Sequence, residues 1–331
     1  MLKNTLNKLF DYQTLSHNEA REILINITKD VYNKSEIVAF LSVFMMRPVT
    51  VNELSGFRDA LLELRNPVDL SDFNTIDMCG TGGDGKNTFN ISTLSSFVVA
   101  GAGYKVAKHG NYGVSSGCGS SNVMEAMGFR FTTDNELLKR QLDKAGICFL
   151  HAPLFNPAMK AVAPIRKELG VRTFFNMLGP LINPAEINNQ LVGVFNLELA
   201  RLYNYILQST DVNFTILHSV DGYDEISLTS AFKKISNSGE ALLNPEDIGL
   251  PKLDATEIEG GETIAEAVNI FKNVLNENGT DAQNSVVIAN SALGIQCISG
   301  LSIEESVEKA KESIFSGSAL NVCKTLLDNQ G

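Results

Sequence analysis

The run Cys79-Gly80-Thr81-Gly82-Gly83-Asp84-Gly85-Lys86 follows an apolar stretch, Thr75–Cys79. It leads through Asn90-Ile91-Ser92-Thr93 into the helix-compatible segment Leu94–Ala100. Strand, glycine loop and helix start, in that order, suit an anion: glycines let backbone N–H groups approach it, and a helix N-terminus adds partial positive charge. Ser92 or Thr93 can cap that helix or turn a hydroxyl toward a ligand. A second glycine- and serine-rich segment runs from Lys108-His109-Gly110-Asn111-Tyr112 through Ser115, Ser116, Gly117 and Gly119 to Ser120-Ser121. From Gly85 to Met124 the chain carries no Asp or Glu, while Lys86, Lys105 and Lys108 lie inside, so the stretch has a net charge of +3. Two glycine loops, one leading into the acid-free window and one inside it, indicate a polyanion site. His109 reads either as a general acid or base or as a loop-positioning residue.

Two better-known signatures nearly fit and fail on specific residues. Gly80-x-Gly82-x-x-Gly85 satisfies the dinucleotide pattern, but the acid expected about twenty positions later to hold a ribose falls in the acid-free window. Gly80-x4-Gly85-Lys86 opens a P-loop, but Asn87 stands where a Ser or Thr should hold magnesium. Acids gather again at Asp221-Gly222-Tyr223-Asp224-Glu225, where the expected strand Val212–Val220 gives way to a loop. Ligands of α/β sheets sit outside the carboxyl ends of strands. Adjacent carboxylates diverge, which argues against a paired acid and base. An oxygen-rich loop suits Mg²⁺, the alternative being a solvated acidic turn.

Residues 1–64 must fold as helices, because apolar residues recur at three- and four-residue intervals in Ala20–Ile27, Ile37–Met46 and Leu54–Leu64. Ser16-x-x-Glu19 and Thr50-x-x-Glu53 fit capping boxes. Phe40, Met45 and Met46 read as packing residues, in the core or on a helix-to-helix partner surface. After Arg65-Asn66-Pro67 short apolar runs (Thr75–Cys79, Leu191–Phe195, Phe214–Leu217) alternate with helical stretches, which predicts a mainly parallel sheet flanked by helices. Pro153–Pro184 is again helix-like. The expected division is a small helical domain over 1–70 with a returning segment near 155–184, and a large α/β domain over 73–152 and 185–331. The end of the chain, from Ser302, reads as amphipathic helix with a solvated acidic face.

With 27 Lys and Arg against 38 Asp and Glu, the formal charge of −11 argues against general adhesion to nucleic acid or anionic membrane. Cys79, Cys118, Cys148, Cys297 and Cys323 form no C-x-x-C and have no His at ligand spacing, which reads as free thiols in a reducing cytoplasm. The start of the chain has no long apolar segment, and the apolar run Ile37–Met46 is too short to span a bilayer.

The chain resembles the anthranilate phosphoribosyltransferases. The likeness rests on Gly80–Gly85, Asn90-Ile91-Ser92-Thr93, Lys108-His109-Gly110-Asn111, Arg166-Lys167-Glu168-Leu169-Gly170, Arg172-Thr173, Asn176-Met177-Leu178-Gly179-Pro180 and Asp221-Gly222-x-Asp224-Glu225, all in order. The resemblance implies a small helical domain on a large α/β domain of the nucleoside phosphorylase and phosphoribosyltransferase kind, homodimeric through the helical domain. It implies transfer of the phosphoribosyl group of PRPP to the amine of anthranilate in tryptophan biosynthesis, with Mg²⁺, two ions per subunit. Carried over to matching positions, PRPP would be held by Gly80, Gly83, Asp84, Thr88, Asn90, Ile91, Ser92, Thr93, Lys108, His109, Gly110 and Asn111, assisted by Ser115, Ser116 and Ser120. Magnesium would be held by Ser92, Asp224 and Glu225, and anthranilate by Gly80, Asn111 and Arg166, whose guanidinium suits a carboxylate. Asp84 is expected to reach ribose or anthranilate-side groups. The chain departs from the family pattern at Tyr112 (commonly Arg), Gly117 (often basic), Asn122 (frequently Asp) and Asn156 (often His). A pyrimidine nucleoside phosphorylase shares the architecture and a Lys-His loop, and a non-catalytic relative on the same fold would show a basic face.

Overall fold

The computed structural model describes residues 2–113 and 118–330, so Ser115, Ser116 and Gly117 lie outside the described residues. In chain order α1 (Lys3–Phe10), α2 (His17–Thr28), α3 (Lys34–Met46) and α4 (Val51–Leu64) come first. They precede β1 (Thr75–Gly80), α5 (Ile91–Gly101), β2 (Lys105–Gly110), α6 (Ser120–Ala126), α7 (Asn135–Ala145) and β3 (Ile147–His151). Then come α8 (Ala152–Phe155), α9 (Pro157–Leu169), β4 (Asn189–Gly193), α10 (Leu197–Leu207), β5 (Asn213–Ser219), β6 (Phe232–Ser236) and β7 (Gly239–Leu243). Helices α11 (Ile264–Leu275), α12 (Asp281–Ser299), α13 (Ile303–Phe315) and α14 (Ser318–Asp328) close the chain. It divides into a helical unit, 1–67 with 152–184, and an α/β unit, 68–151 with 185–331.

In the helical unit each of α2, α3 and α4 starts on a complete capping box: Ser16 with Glu19, Asn33 with Glu36, and Thr50 with Glu53. The second of these was not among the expected starts. The returning segment supplies Phe174, which stacks on Phe57 at 4.2 Å and meets Phe40 and Phe44 edge-on. Phe40 is therefore core, whereas Met46 is 87% exposed.

Glu53 does more than cap. Its wholly buried carboxylate receives Arg47 through two nitrogens (2.9 and 2.6 Å), together with the backbone N–H groups of Leu15 and Thr50 (2.9 Å each). Burial by itself raises a carboxyl's pKa, but Arg47 and these donors outweigh it and hold Glu53 below its usual value. Glu53→Ala removes the carboxylate partner of Arg47 and of two backbone N–H groups, those of Leu15 and Thr50, and is expected to destabilise the unit by about 3–5 kcal/mol, read as the shift in a urea midpoint. Because the folded-state pKa is depressed, this contribution is present at neutral pH and fades as pH falls below the ordinary carboxyl value of about 4.

The α/β unit holds one seven-stranded sheet in the order β3-β2-β1-β4-β5-β6-β7. The five strands from β3 to β5 are parallel, as the alternating grammar predicts, and β6 and β7 add an antiparallel edge. Helices α5 and α12 pack together through largely apolar buried faces that also carry a few polar side chains, and cover the strands. The acidic-faced C-terminal segment is two helices, α13 and α14, divided at Gly317, which takes φ 74°. The order of strands reverses between β1 and β4, since β1 continues to β2 on one side and the later strands build out on the other. In open α/β sheets ligands bind at such a switch point.

Candidate active site

At the switch point the last residues of the two central strands, Gly80 and Gly193, are register partners. Both lack a Cβ for one reason: Asp224 lies across them. A Cβ on Gly193 would overlap the Asp224 carbonyl oxygen, and one on Gly80 its Oδ2. The loop after β1 then turns through Gly82, Gly83 and Gly85 at φ 63°, 77° and 77°, values that L side chains rarely adopt. Asp224 Oδ2 accepts the Gly82 N–H at 2.7 Å, and Glu225 Oε1 accepts the Ser92 N–H at 3.0 Å. Glu225 thus acts as the cap of α5. Asn90, at the capping position, makes no side-chain capping bond, and neither the Ser92 nor the Thr93 hydroxyl supplies one.

The two acidic neighbours therefore converge, one onto the glycine loop and the other onto the helix start, instead of splaying apart. Asp84 completes a trio. It hydrogen-bonds Asp224, and its Oδ1 accepts the Lys86 N–H at 3.0 Å, so it faces the carboxylates rather than standing apart from them. Burial first, and then the negative charge of Asp84, push the Asp224 carboxyl well above its ordinary range, with the Gly82 N–H opposing. Burial and then Asp224 do the same for Glu225, against the Ser92 N–H and the Lys108 charge. A set of oxygen donors brought this close together is the chemistry of a hard divalent ion.

The three lysines of the acid-free window part company. Lys86 lies 4.6 Å over the Tyr223 ring, beside the acidic loop. Lys108 is only 1% exposed, and its ammonium donates to the Met78 carbonyl oxygen, so it acts from beneath the site; burial lowers its pKa, with Asp77 pulling the other way. Lys105 is at the opposite end of β2, where its ammonium donates to the Leu142 and Asp143 carbonyls at 2.6 and 3.2 Å, and it takes no part.

Lys108, His109 and Gly110 are strand residues, the end of β2, and not loop. His109 is buried, with its backbone N–H on Asp77 Oδ1 at 3.0 Å. Beyond the strand, Asn111 pairs with Ser120: the Ser120 hydroxyl accepts the Asn111 N–H and donates to its carbonyl, each at 3.2 Å. Asn122 Oδ1 accepts the N–H groups of Gly113 and Gly119 at 3.0 Å, an acceptor role an Asp would also fill. Tyr112 donates its hydroxyl to Glu125 at 2.7 Å and meets the His151 ring edge-on at 4.8 Å. Ile91 and Thr93 are buried, the Ile91 N–H donating to the Phe89 carbonyl at 2.6 Å, and Thr88 bridges to Glu259. The Asn90 Oδ1 is buried without a partner while its Nδ2 donates to the Cys118 carbonyl at 3.1 Å, so an acceptor waits for a donor.

In the helical unit, Arg166 is on the last turn of α9. Its guanidinium lies 5.3 Å over Phe175 and donates to Asn176 Oδ1 at 3.3 Å, and burial lowers its pKa. Asn156, which precedes α9, is 1% exposed. Two contributors had no motif to announce them. Gly193 had a local signal, a glycine between strand valines, which marks close backbone approach. Asn290, on α12, is one of three buried polar side chains of that helix, with Asn284 and Ser291, and carries no such mark.

Comparison with known proteins bears on both units. Residues 3–64 match the glycosyl transferase family, helical bundle domain, and residues 72–320 match the glycosyl transferase family, a/b domain. The chain is 61% identical over 325 residues to the anthranilate phosphoribosyltransferase of Flavobacterium johnsoniae, 98% of each chain. It is 52% identical over 328 residues to that of Bacteroides thetaiotaomicron, 99% of each. Among solved structures, anthranilate phosphoribosyltransferase from Thermus thermophilus aligns with a TM-score of 0.91 at 30% identity over 98% of both chains. The Saccharomyces cerevisiae enzyme in complex with PRPP and Mg aligns with a TM-score of 0.90 at 26% identity, over 99% of this chain and 97% of that one. With such identity over almost the full length, the chain belongs to the anthranilate phosphoribosyltransferase family.

Proposed function

We propose that this chain transfers the phosphoribosyl group of PRPP to the amine of anthranilate, giving N-(5-phosphoribosyl)anthranilate and pyrophosphate, a step of tryptophan biosynthesis. The observation that carries this reading is the meeting, at the switch point, of a glycine loop with an N–H-lined helix start and a trio of carboxylates. That combination supports a polyanion bound together with a divalent cation.

Magnesium fits this site, and Ser92, Asp224 and Glu225 would hold it, with two ions per subunit as the family resemblance implies. Bound there, it would neutralise charge building on the departing pyrophosphate. The chain's own residues do the rest. Those backbone N–H groups of the glycine loop and the α5 start that the carboxylates do not take would bind the leaving group more tightly as its charge grows, which favours a transition state with oxocarbenium character. Gly83, Asp84, Thr88, Asn90, Ile91, Ser92, Thr93, Lys108, His109, Gly110, Asn111 and Ser120 are the residues we assign to PRPP, with Ser115 and Ser116. The Asn90 Oδ1 supplies an acceptor of the kind a ribose hydroxyl needs. For anthranilate we assign Gly80, Asn111 and Arg166, the last as partner of the carboxylate. The aromatic amine is neutral at pH 7 and has a free lone pair, so no strong base is required, and we name none.

We further propose a homodimer through the helical unit, supported by exposed apolar side chains there, among them Phe10, Met45 and Met46. We place the protein in the cytoplasm, a reading supported by five free cysteines. Among the described residues no single helix is long and apolar enough to cross a membrane. Pyrophosphate released in equal amounts with anthranilate consumed tests the reaction. Phosphorolysis of thymidine or uridine without PRPP would support the nucleoside phosphorylase instead.

A further inference from the structure

Asp224 and Glu225 lie on the connection between β5 and β6, outside the regular ladder, yet both carboxylates are held in place. The backbone just after them explains how. The Ile226 N–H donates to Asn290 Oδ1 at 3.0 Å, and Asn290 Nδ2 donates back to the Ile226 carbonyl at 2.9 Å, the pair of bonds a neighbouring strand would make. The same Nδ2 also donates to the Val286 carbonyl at 2.9 Å, which ties the amide to its own helix. One residue earlier, the Glu225 carbonyl accepts the Ser219 hydroxyl at 2.7 Å, and Ser219 Oγ in turn accepts the Ser227 N–H at 3.2 Å. Asn290 is 3% exposed and Ser219 wholly buried, so both act from the protein side of the loop.

We propose that Asn290, with Ser219, is a positioning residue of the cation site: side chains from α12 and β5 grip the backbone at residues 225–227 and so aim Asp224 and Glu225 at the ends of β1 and β4. This rests on the cation reading above. The Asn290 oxygen is taken up by Ile226, so its influence on a cation passes through the loop. Magnesium and its analogues tolerate little error in ligand placement, and residues that orient ligands from behind typically change metal affinity by about 10- to 100-fold when removed.

The test uses the full chain and Mn²⁺ alone, with the free-ion paramagnetic resonance signal read as metal is added. Asn290→Ala is expected to raise the Mn²⁺ dissociation constant by about tenfold or more, and Ser219→Ala to move it the same way. Asn284→Ala is the control. It removes a buried amide of the same helix that bonds the Gly279 carbonyl, far along the helix from the carboxylates, and a merely structural effect would appear there equally. If Asn290→Ala fails to fold, Ser219→Ala decides. Loss of binding in the Asp224→Ala, Glu225→Ala double variant with wild-type affinity in Asn290→Ala and Ser219→Ala overturns the clamp and spares the cation site. Equal binding by wild type and the double variant, or none by wild type, overturns both.

Discussion

Asp224→Ala combined with Glu225→Ala abolishes turnover at saturating magnesium, with kcat lowered by at least about a thousandfold. The size follows from what the pair does at once. Each carboxylate ends on an element that faces the departing group: Asp224 on the Gly82 N–H of the loop and Glu225 on the Ser92 N–H at the start of α5. Removing both takes away the two carboxylates that would hold the cation with Ser92, and frees the loop and the helix start they pin. The loss of one preorganised donor costs about 3–4 kcal/mol of barrier, and here the cation and the donors fail together. The double variant is expected to fold, since Asp224 and Glu225 lie on a connection outside the sheet ladder whose backbone Asn290 and Ser219 still hold. Steady-state assays across magnesium concentrations measure the effect, and near-normal activity contradicts the metal assignment.

Arg166→Ala is expected to raise the KM for anthranilate by about ten- to a hundredfold, the worth of one hydrogen bond to a charged group, and to leave the KM for PRPP close to normal. The guanidinium lies over the Phe175 ring and donates to Asn176 Oδ1, so its place within the helical unit is fixed before any ligand arrives. Arg166→Lys should recover only part of the loss, because an ammonium cannot reproduce the two parallel N–H groups that match a carboxylate. Loss of PRPP affinity with anthranilate use intact contradicts this partition of the site.

Much of this arrangement was legible in the sequence because it is local. The strand, the glycine loop and the helix start lie within Thr75–Gly101, and their order announces an anion cradle before any contact is known. The acidic cluster was legible for the same reason, as carboxylates at the end of a strand. Contacts between distant positions were not. Nothing near Glu225 says that it caps a helix beginning at Ile91, and nothing near Gly193 says that Asp224 crosses it. Charge counted along the chain also misled in part. Lys105 and Lys108 are three residues apart on one strand, so they fall on opposite faces and near opposite ends, one at the far edge and one buried beneath the site. The antiparallel edge of β6 and β7 escaped notice because Phe232–Leu243 carries mixed, half-buried side chains and none of the long apolar runs of the parallel strands.

The central claim is that PRPP and magnesium together allow this chain to consume anthranilate. Anthranilate is fluorescent, so its emission can be followed as the purified protein receives PRPP, then Mg²⁺, then both. The account predicts a steady loss of fluorescence only with both present, at a rate proportional to protein. Unchanged fluorescence at every magnesium concentration would contradict it.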